Sequence, residues 1–296
     1  MDPVMLLHFE DEQPLALAIA QAAGLQARSI ERHTFPDGET RLRLPERVPP
    51  QVVLLRSLHA PNTRLMDLLL AAPTARELGA AHLTLIAPYL AYMRQDMAFR
   101  PGEAVSQRIV GRWLASLFDA VLTIDPHLHR VQHLQQAVPA RQTLTLSAAP
   151  LLADVVHARQ PDALLIGPDE ESAQWIALAA QAHGFDHGVC HKTRHGDRDV
   201  RIALPGTAVQ GRAVVLLDDI ASSGRTLAEA CRALLQAGAR SVDVAVTHAL
   251  FAGDAAQVIR DAGVRHICST DTVAHASNAV SVAPLIAQGL QALRGR

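Results

Sequence analysis

The stretch Val214-Val215-Leu216-Leu217-Asp218-Asp219-Ile220-Ala221-Ser222-Ser223-Gly224-Arg225-Thr226-Leu227 constrains the fold of this chain more than any other. Four apolar residues read as a buried strand, and two adjacent carboxylates sit where that strand is expected to end. A Ser/Gly loop follows, and Thr226 opens an amphipathic helix through about Gln236. Loop N–H groups and a helix N-terminus bind phosphate. The paired acids can hold sugar hydroxyls, directly or through a hard cation. The layout predicts a pocket for a phosphorylated sugar at the carboxyl end of a parallel sheet. The plainer reading, a solvated turn with an N-cap, explains the acids but not their coincidence with this loop.

Strand-like and helical runs alternate along the whole chain. Met5–Phe9, Val52–Leu55, His82–Ala87, Val121–Ile124, Ala163–Ile166, Gly188–His191, Ser241–Thr247 and Val264–Ser269 read as strands. Pro14–Ala23, Leu65–Leu78, Ile109–Leu117, Leu151–Ala158, Ala173–His183, Ala255–Ala262 and Leu285–Leu290 read as helices. Such alternation predicts an α/β fold with mainly parallel sheets flanked by helices. Glu77-Leu78-Gly79-Ala80 and Gln236-Ala237-Gly238-Ala239 each precede a strand, so the two halves echo one another, although any αβ unit can end this way. Pro, Ser, Thr and Ala interrupt the periodicity at Pro139–Pro150, which places a boundary there and domains at 1–145 and 146–296, the last helix free to pack on the first domain.

With 296 residues, 49% of them hydrophobic, the chain can build two sizeable cores. A net charge of -2 and 3% aromatic content argue against a nucleic-acid binder, which would show a basic excess or stacking platforms. Cys190, Cys231 and Cys268 form no CxxC pair and read as reduced thiols; with no basic-flanked apolar leader and no long apolar run, a cytoplasmic protein without membrane spans is expected.

Further segments carry candidate chemistry. Phe35-Pro36-Asp37-Gly38-Glu39 is a turn that displays an aromatic and two carboxylates, and from the pentapeptide alone an ordinary hairpin is the better reading. Arg94 and Gln95 follow a buried strand and offer a phosphate fork and a neutral donor–acceptor pair. His127 ends another strand, where pockets of such folds lie. Asp169 ends the strand Ala163–Ile166 and suits equally a hard cation or an N-cap. Lys192 and Arg194 alternate along a basic extended loop, two cations aimed one way, which suits a polyphosphate transition state, although a solvated basic loop reads the same way. The spacing of His187, His191 and His195 would suit a helical metal site, but Gly188 and Gly196 argue against a helix there.

Taken together and in this order, these motifs resemble those of ribose-phosphate pyrophosphokinases, from Phe35 to Ser281-Val282-Ala283-Pro284-Leu285. The resemblance implies two tandem type I phosphoribosyltransferase-like domains, of which only the second keeps the ribose-phosphate loop. It implies Mg2+-dependent transfer of the diphosphoryl group of ATP to the anomeric hydroxyl of ribose 5-phosphate, giving phosphoribosyl diphosphate and AMP. By position, Phe35, Asp37, Gly38 and Glu39 match an ATP-binding turn that reaches in from a neighbouring subunit of a homo-oligomer. Arg94 and Gln95 match the ATP-binding pair. His127 and Asp169 match metal-associated residues, and Lys192 and Arg194 the catalytic loop, Arg194 also lying toward the sugar phosphate. Asp218, Asp219, Ser222, Ser223, Gly224, Arg225 and Thr226 match the ribose 5-phosphate site. Departures are the Ser222-Ser223-Gly224-Arg225-Thr226 loop itself, Pro126, and the His129-Arg130 pair where smaller or amide residues are common. Rival readings are a phosphoribosyltransferase, a kinase acting on another pentose phosphate, and a catalytically silent synthetase-like subunit.

Overall fold

The computed structural model describes residues 3–195 and 199–295; the side chains of residues 192–202 lie outside that description. The chain divides into two units, Met1–Leu146 with Ala283–Arg296, and Ser147–Val282.

The first unit runs β1 (Val4–Phe9), α1 (Gln13–Ala23), β2 (Gln26–Thr34), β3 (Thr40–Arg43), β4 (Gln51–Leu55), α2 (Pro61–Glu77), β5 (His82–Ala87), α3 (Ser106–Leu117), β6 (Ala120–Ile124), α4 (Leu134–Ala137) and β7 (Gln142–Leu146). Its sheet has the order β3-β2-β1-β4-β5-β6-β7, parallel except at the antiparallel β2–β3 pair. Leu7, Leu54, Leu83 and Leu85 are fully buried on these strands, as helices on both faces of a parallel sheet require. Each such burial contributes about 1.5–3 kcal/mol.

The second unit runs α5 (Ala149–Arg159), β8 (Leu164–Gly167), α6 (Ala173–His183), β9 (His187–Val189), β10 (His191–His195), β11 (Asp199–Ala203), β12 (Ala213–Ala221), α7 (Arg225–Gln236), β13 (Ser241–Ala249), α8 (Ala255–Asp261), β14 (Val264–Thr270) and β15 (Asn278–Val280). Its six-stranded sheet has the order β15-β14-β13-β12-β8-β9 and is wholly parallel; β10 and β11 form a separate antiparallel ribbon. The final helix, α9 (Ala283–Arg294), packs on α1 and along β6 and β7 in the first unit. Gly289 makes this possible, since a Cβ there would lie 2.8 Å from Leu122 Cδ1 and 2.9 Å from Leu146 Cδ1.

The halves share more than the helix–Gly–strand echo. Read outward, β2-β1-β4-β5-β6-β7 and β9-β8-β12-β13-β14-β15 follow the same connectivity. The fold is therefore two α/β units of one topology; the alternation predicts the α/β class, and the shared topology, which the echo left open, is now seen.

Three local expectations change. Asp218 and Asp219 lie within β12, not beyond its end, because the long β13 continues the ladder and pairs Asp218 with Val246 and Ala221 with Ala249. The expected strand Gly188–His191 is split at Cys190, whose N–H turns to the Gly167 carbonyl at 2.8 Å, so β9 stays with the sheet and β10 leaves it. The supposed linker 139–150 contains β7, whose Thr143 and Thr145 alternate with Leu144 and Leu146 over too short a span to read as a strand.

Candidate functional site

The ribose-phosphate candidate begins where β12 ends at Ala221. Ser222, Ser223 and Gly224 turn the chain into α7, which starts at Arg225. Gly224 caps the helix at φ +71°, and a Cβ there would lie 2.9 Å from both the Ala255 carbonyl oxygen and Ile259 Cγ1. Both the backbone conformation and the close approach require glycine. The loop is clamped from the β13–α8 connection: Phe251 N donates to Ala221 O at 2.8 Å and Ala252 N to Ser222 O at 2.9 Å. Phe251 holds a left-handed φ of +34° there and packs its ring 4.7 Å from that of His275. Arg225 is exposed and Thr226 half-buried at the start of α7, whose first N–H groups have no carbonyl one turn earlier to bind. A loop and helix N-terminus arranged in this way can hold an anion.

The carboxylates gather beside it. Asp219 is 2% exposed and Asp218 half-buried, and Asp219 N donates to Asp218 Oδ1 at 3.0 Å. β8 runs parallel to β12, pairing Ile166 with Leu216, so Asp169 emerges next to Asp218. Desolvation, the Asp219 carboxylate and the Asp169 carboxylate together push the Asp218 carboxyl well above its ordinary range. A cluster of acids with this mutual repulsion fits a hard divalent cation, whose charge would relieve it. Asp169 also caps the turn that follows: its Oδ1 accepts from Glu171 N at 3.2 Å, and its carbonyl accepts from Ser172 Oγ at 2.5 Å. The cap uses one carboxylate oxygen, so capping and cation binding are compatible.

Lys192 and Arg194 occupy alternate positions of β10, opposite Ile202 and Val200 of β11; the expectation about where their side chains aim lies outside the described residues. At the base of this ribbon His191 Nδ1 lies 3.0 Å from Glu170 Oε1. The neighbouring Cys190 is buried, and desolvation followed by the Asp169 charge pushes its thiol up to about 12, against a thiolate near neutral pH.

The remaining candidates lie in the first unit. Phe35–Glu39 joins β2 to β3: Phe35 N donates to Glu39 O at 2.8 Å, and Glu39 N to Asp37 Oδ1 at 3.1 Å. Gly38 takes φ +94° at the tip. Only Gln26–Ile30 of β2 pair with β1; Glu31–Thr34 pair with β3 alone, so the hairpin runs about 13 Å past the last β1 pair, at ~3.3 Å per residue. Phe35 is exposed, its ring edge-on to His33 at 4.7 Å. Arg94 is exposed and Gln95 half-buried in the loop after β5, where Gln107 N donates to Gln95 O at 3.2 Å and Ser106 Oγ to Gln95 Oε1 at 3.4 Å. His127 follows the adjacent β6, with its Nε2 2.5 Å from that of His129. The sheet order thus brings the Arg94–Gln95 and His127 loops to one end of neighbouring strands, and leaves the Phe35 turn three strands away.

Two features have no counterpart among the motifs read from sequence. Asp96, immediately after Gln95, is 5% exposed and pairs with Arg130 Nη1 at 2.5 Å. The buried Arg56 follows β4, its Nη1 2.7 Å from Asp11 Oδ1 and 3.0 Å from Glu12 Oε2, its Nη2 bonded to Asp67, its guanidinium 4.2 Å from the Phe9 ring centroid. An arginine in a fully apolar strand context was the available signal for the second; for the first, Arg130 stood out only as a departure after His129, and nothing in sequence pointed to Asp96 as its partner.

Comparison with known proteins adds independent findings. Residues 4–117 match the family model described as the N-terminal domain of ribose phosphate pyrophosphokinase, and residues 150–283 that of the phosphoribosyl transferase domain. The chain is 36% identical over 285 residues to a ribose-phosphate pyrophosphokinase of Methanopyrus kandleri, covering 95% of this chain and 96% of the relative. It is 35% identical over 289 residues to that of Halobacterium salinarum, covering 97% and 100%. The crystal structure of phosphoribosylpyrophosphate synthetase from Mycobacterium smegmatis superposes with a TM-score of 0.84 at 26% identity, covering 99% of both chains.

Proposed function

This chain belongs to the ribose-phosphate pyrophosphokinase family and is an enzyme of that type, and we propose that it transfers the diphosphoryl group of ATP to the anomeric hydroxyl of ribose 5-phosphate, releasing AMP. One observation carries the reading of the acceptor: the Asp218–Asp219 pair and the Ser222–Thr226 loop sit on one strand–loop–helix unit, with Asp169 just past the end of the adjacent strand β8. The cradle takes the 5-phosphate, leaving the sugar hydroxyls within reach of Asp218 and Asp219.

Mg2+ fits the acid cluster of Asp169, Asp218 and Asp219, and when bound it would neutralise the phosphate oxygens on which charge develops. His127 is assigned to the same metal-associated role from its place in the family. Arg94 and Gln95 are assigned to the nucleotide, and Lys192 and Arg194 to the transferring group, where they hold developing charge and exclude water. The chemistry asks for in-line positioning of the hydroxyl against the β-phosphorus more than for covalent participation. The projection of the Phe35–Glu39 turn beyond its own sheet supports a site completed by a second copy of the chain, hence a homo-oligomer. Among the described residues no helix is long and apolar enough to cross a membrane.

The deciding experiment incubates the protein with ATP, ribose 5-phosphate and Mg2+ and resolves the nucleotides. AMP with equimolar phosphoribosyl diphosphate is expected. ADP in its place would mean single-phosphoryl transfer, and no turnover would mean a silent subunit.

A further inference from the structure

The loop that carries Arg94 and Gln95 is anchored from below by two different elements. Gln107, at the start of α3, donates its Nε2 to Met93 O at 3.1 Å and its backbone N–H to Gln95 O at 3.2 Å. The second anchor is ionic. Asp96 turns inward, its side chain 2% exposed, and receives Arg130 Nη1 at 2.5 Å, while Arg130 itself is 56% exposed. Asp96 Oδ2 is buried with no hydrogen-bond partner among the described residues. A carboxylate taken out of water in this way depends on its cation, and an arginine reaching it is held in turn. Arg130 lies three residues past His127, in the loop after β6. The pair therefore ties the loop after β5 to the loop after β6, at the end of the sheet where both leave adjacent strands.

We propose that Arg130 is a positioning residue for nucleotide binding: through Asp96 it fixes the backbone that presents Arg94 and Gln95, and locks that loop to the one bearing His127. It touches no substrate in this role. The proposal rests on the assignment of Arg94 and Gln95 to ATP.

The physical reason to expect a measurable effect is that a bidentate phosphate ligand such as Arg94 acts by geometry, and a misplacement of about 1 Å can cost ~100-fold. The acceptor cradle on β12 and α7 shares no residue with this tether, so its affinity is an internal control.

The test measures equilibrium binding of α,β-methylene-ATP with Mg2+, and separately of ribose 5-phosphate, by calorimetry on the full chain. Arg130→Gln is expected to weaken the ATP analogue about tenfold and to leave ribose 5-phosphate within about twofold, with Arg130→Lys recovering most of the loss. In steady-state assays the KM for ATP should rise more than kcat falls. Asp96→Asn removes the same pair without stranding a buried charge, and must weaken the analogue in the same way; should Arg130→Gln not fold, this variant decides alone. Unchanged analogue binding in both variants would overturn the proposal. So would a parallel loss of both ligands together with a lowered Tm, which would mark a purely structural pair. A wild-type protein that binds no analogue would overturn the nucleotide assignment itself, and the proposal with it.

Discussion

Arg56 follows β4 at the place that Asp218 takes in β12: each comes directly after a Val-Val-Leu-Leu tetrapeptide on the third strand of the shared order. Where the second unit presents a carboxylate, the first inserts a guanidinium with no exposed surface, held by Asp11, Glu12 and Asp67. At this position the first unit therefore carries a buried ion network in place of the carboxylate. That network makes Arg56 structural. Removing it takes a cation from three acids, two of them almost fully buried, and leaves Arg64 to Asp11 and Glu12, and Arg32 to Asp67, as ionic partners; loss of one partner from a buried ion pair costs about 3–5 kcal/mol. Arg56→Met should lower the denaturation midpoint accordingly with no change in the slope; a midpoint within error of the parent would show that the acids find other partners.

The same network makes a pH prediction. Arg64 Nη2 lies 2.8 Å from His59 Nε2, a contact that suits a neutral imidazole accepting from the guanidinium. Desolvation, then the Arg64 charge, brings His59 down from 6.5 to about 4. Below 6.5 the unfolded chain takes a proton that the folded chain refuses, so this residue subtracts stability as pH falls from about 6.5 to about 4 and contributes nothing above that window. His59→Gln keeps an acceptor for Arg64 without a titrating group. Its Tm should fall less steeply than the parent's between those two values. Parallel curves would show that His59 does not set the acid limb in that window.

The sequence legible as strand and helix was legible for a reason: β1, β4, β5, β6, β8, β12 and β13 are runs of buried apolar residues, and parallel strands covered on both faces show themselves that way. β2, β7 and β15 escaped notice because edge and projecting strands carry mixed residues; β2 reads QARSIERHT and is exposed along most of its length. Within the site, Asp218, Asp219 and the Ser222–Thr226 loop are contiguous, and a contiguous cradle is visible in one dimension. The clamps on that cradle are not. Phe251 reaches Ala221, and Arg130 reaches Asp96, through contacts between separate loops, and nothing in either residue's local sequence announces its partner.

Gly224 offers a test of the cradle that leaves every charged group in place. At φ +71°, a side chain costs about 1–2 kcal/mol in backbone strain alone. The added Cβ would also press on the Ala255 carbonyl at 2.9 Å, and backbone there cannot move aside without shifting α8. Gly224→Ala should therefore raise the KM for ribose 5-phosphate by about tenfold, equivalent to about 1.4 kcal/mol, with the KM for ATP nearly constant. An equal rise in both would mean that the loop serves the nucleotide as well.

Lys192 tests the transition-state assignment. It sits on β10, in a ribbon with β11 that lies outside the main sheet, as a residue that must close over the reacting groups would. If its ammonium stabilises charge only as the diphosphoryl group transfers, its loss falls on kcat, since ground-state binding of either substrate does not use it. Lys192→Ala should lower kcat by about 100-fold or more, the scale on which one such donor counts, and leave the KM for ATP close to that of the parent. Arginine at 192 keeps the charge but not the compact ammonium, so Lys192→Arg should recover a part of the rate and not the whole. A change confined to the KM for ATP would make Lys192 a ground-state ligand of the triphosphate instead, and would move the transition-state role to Arg194.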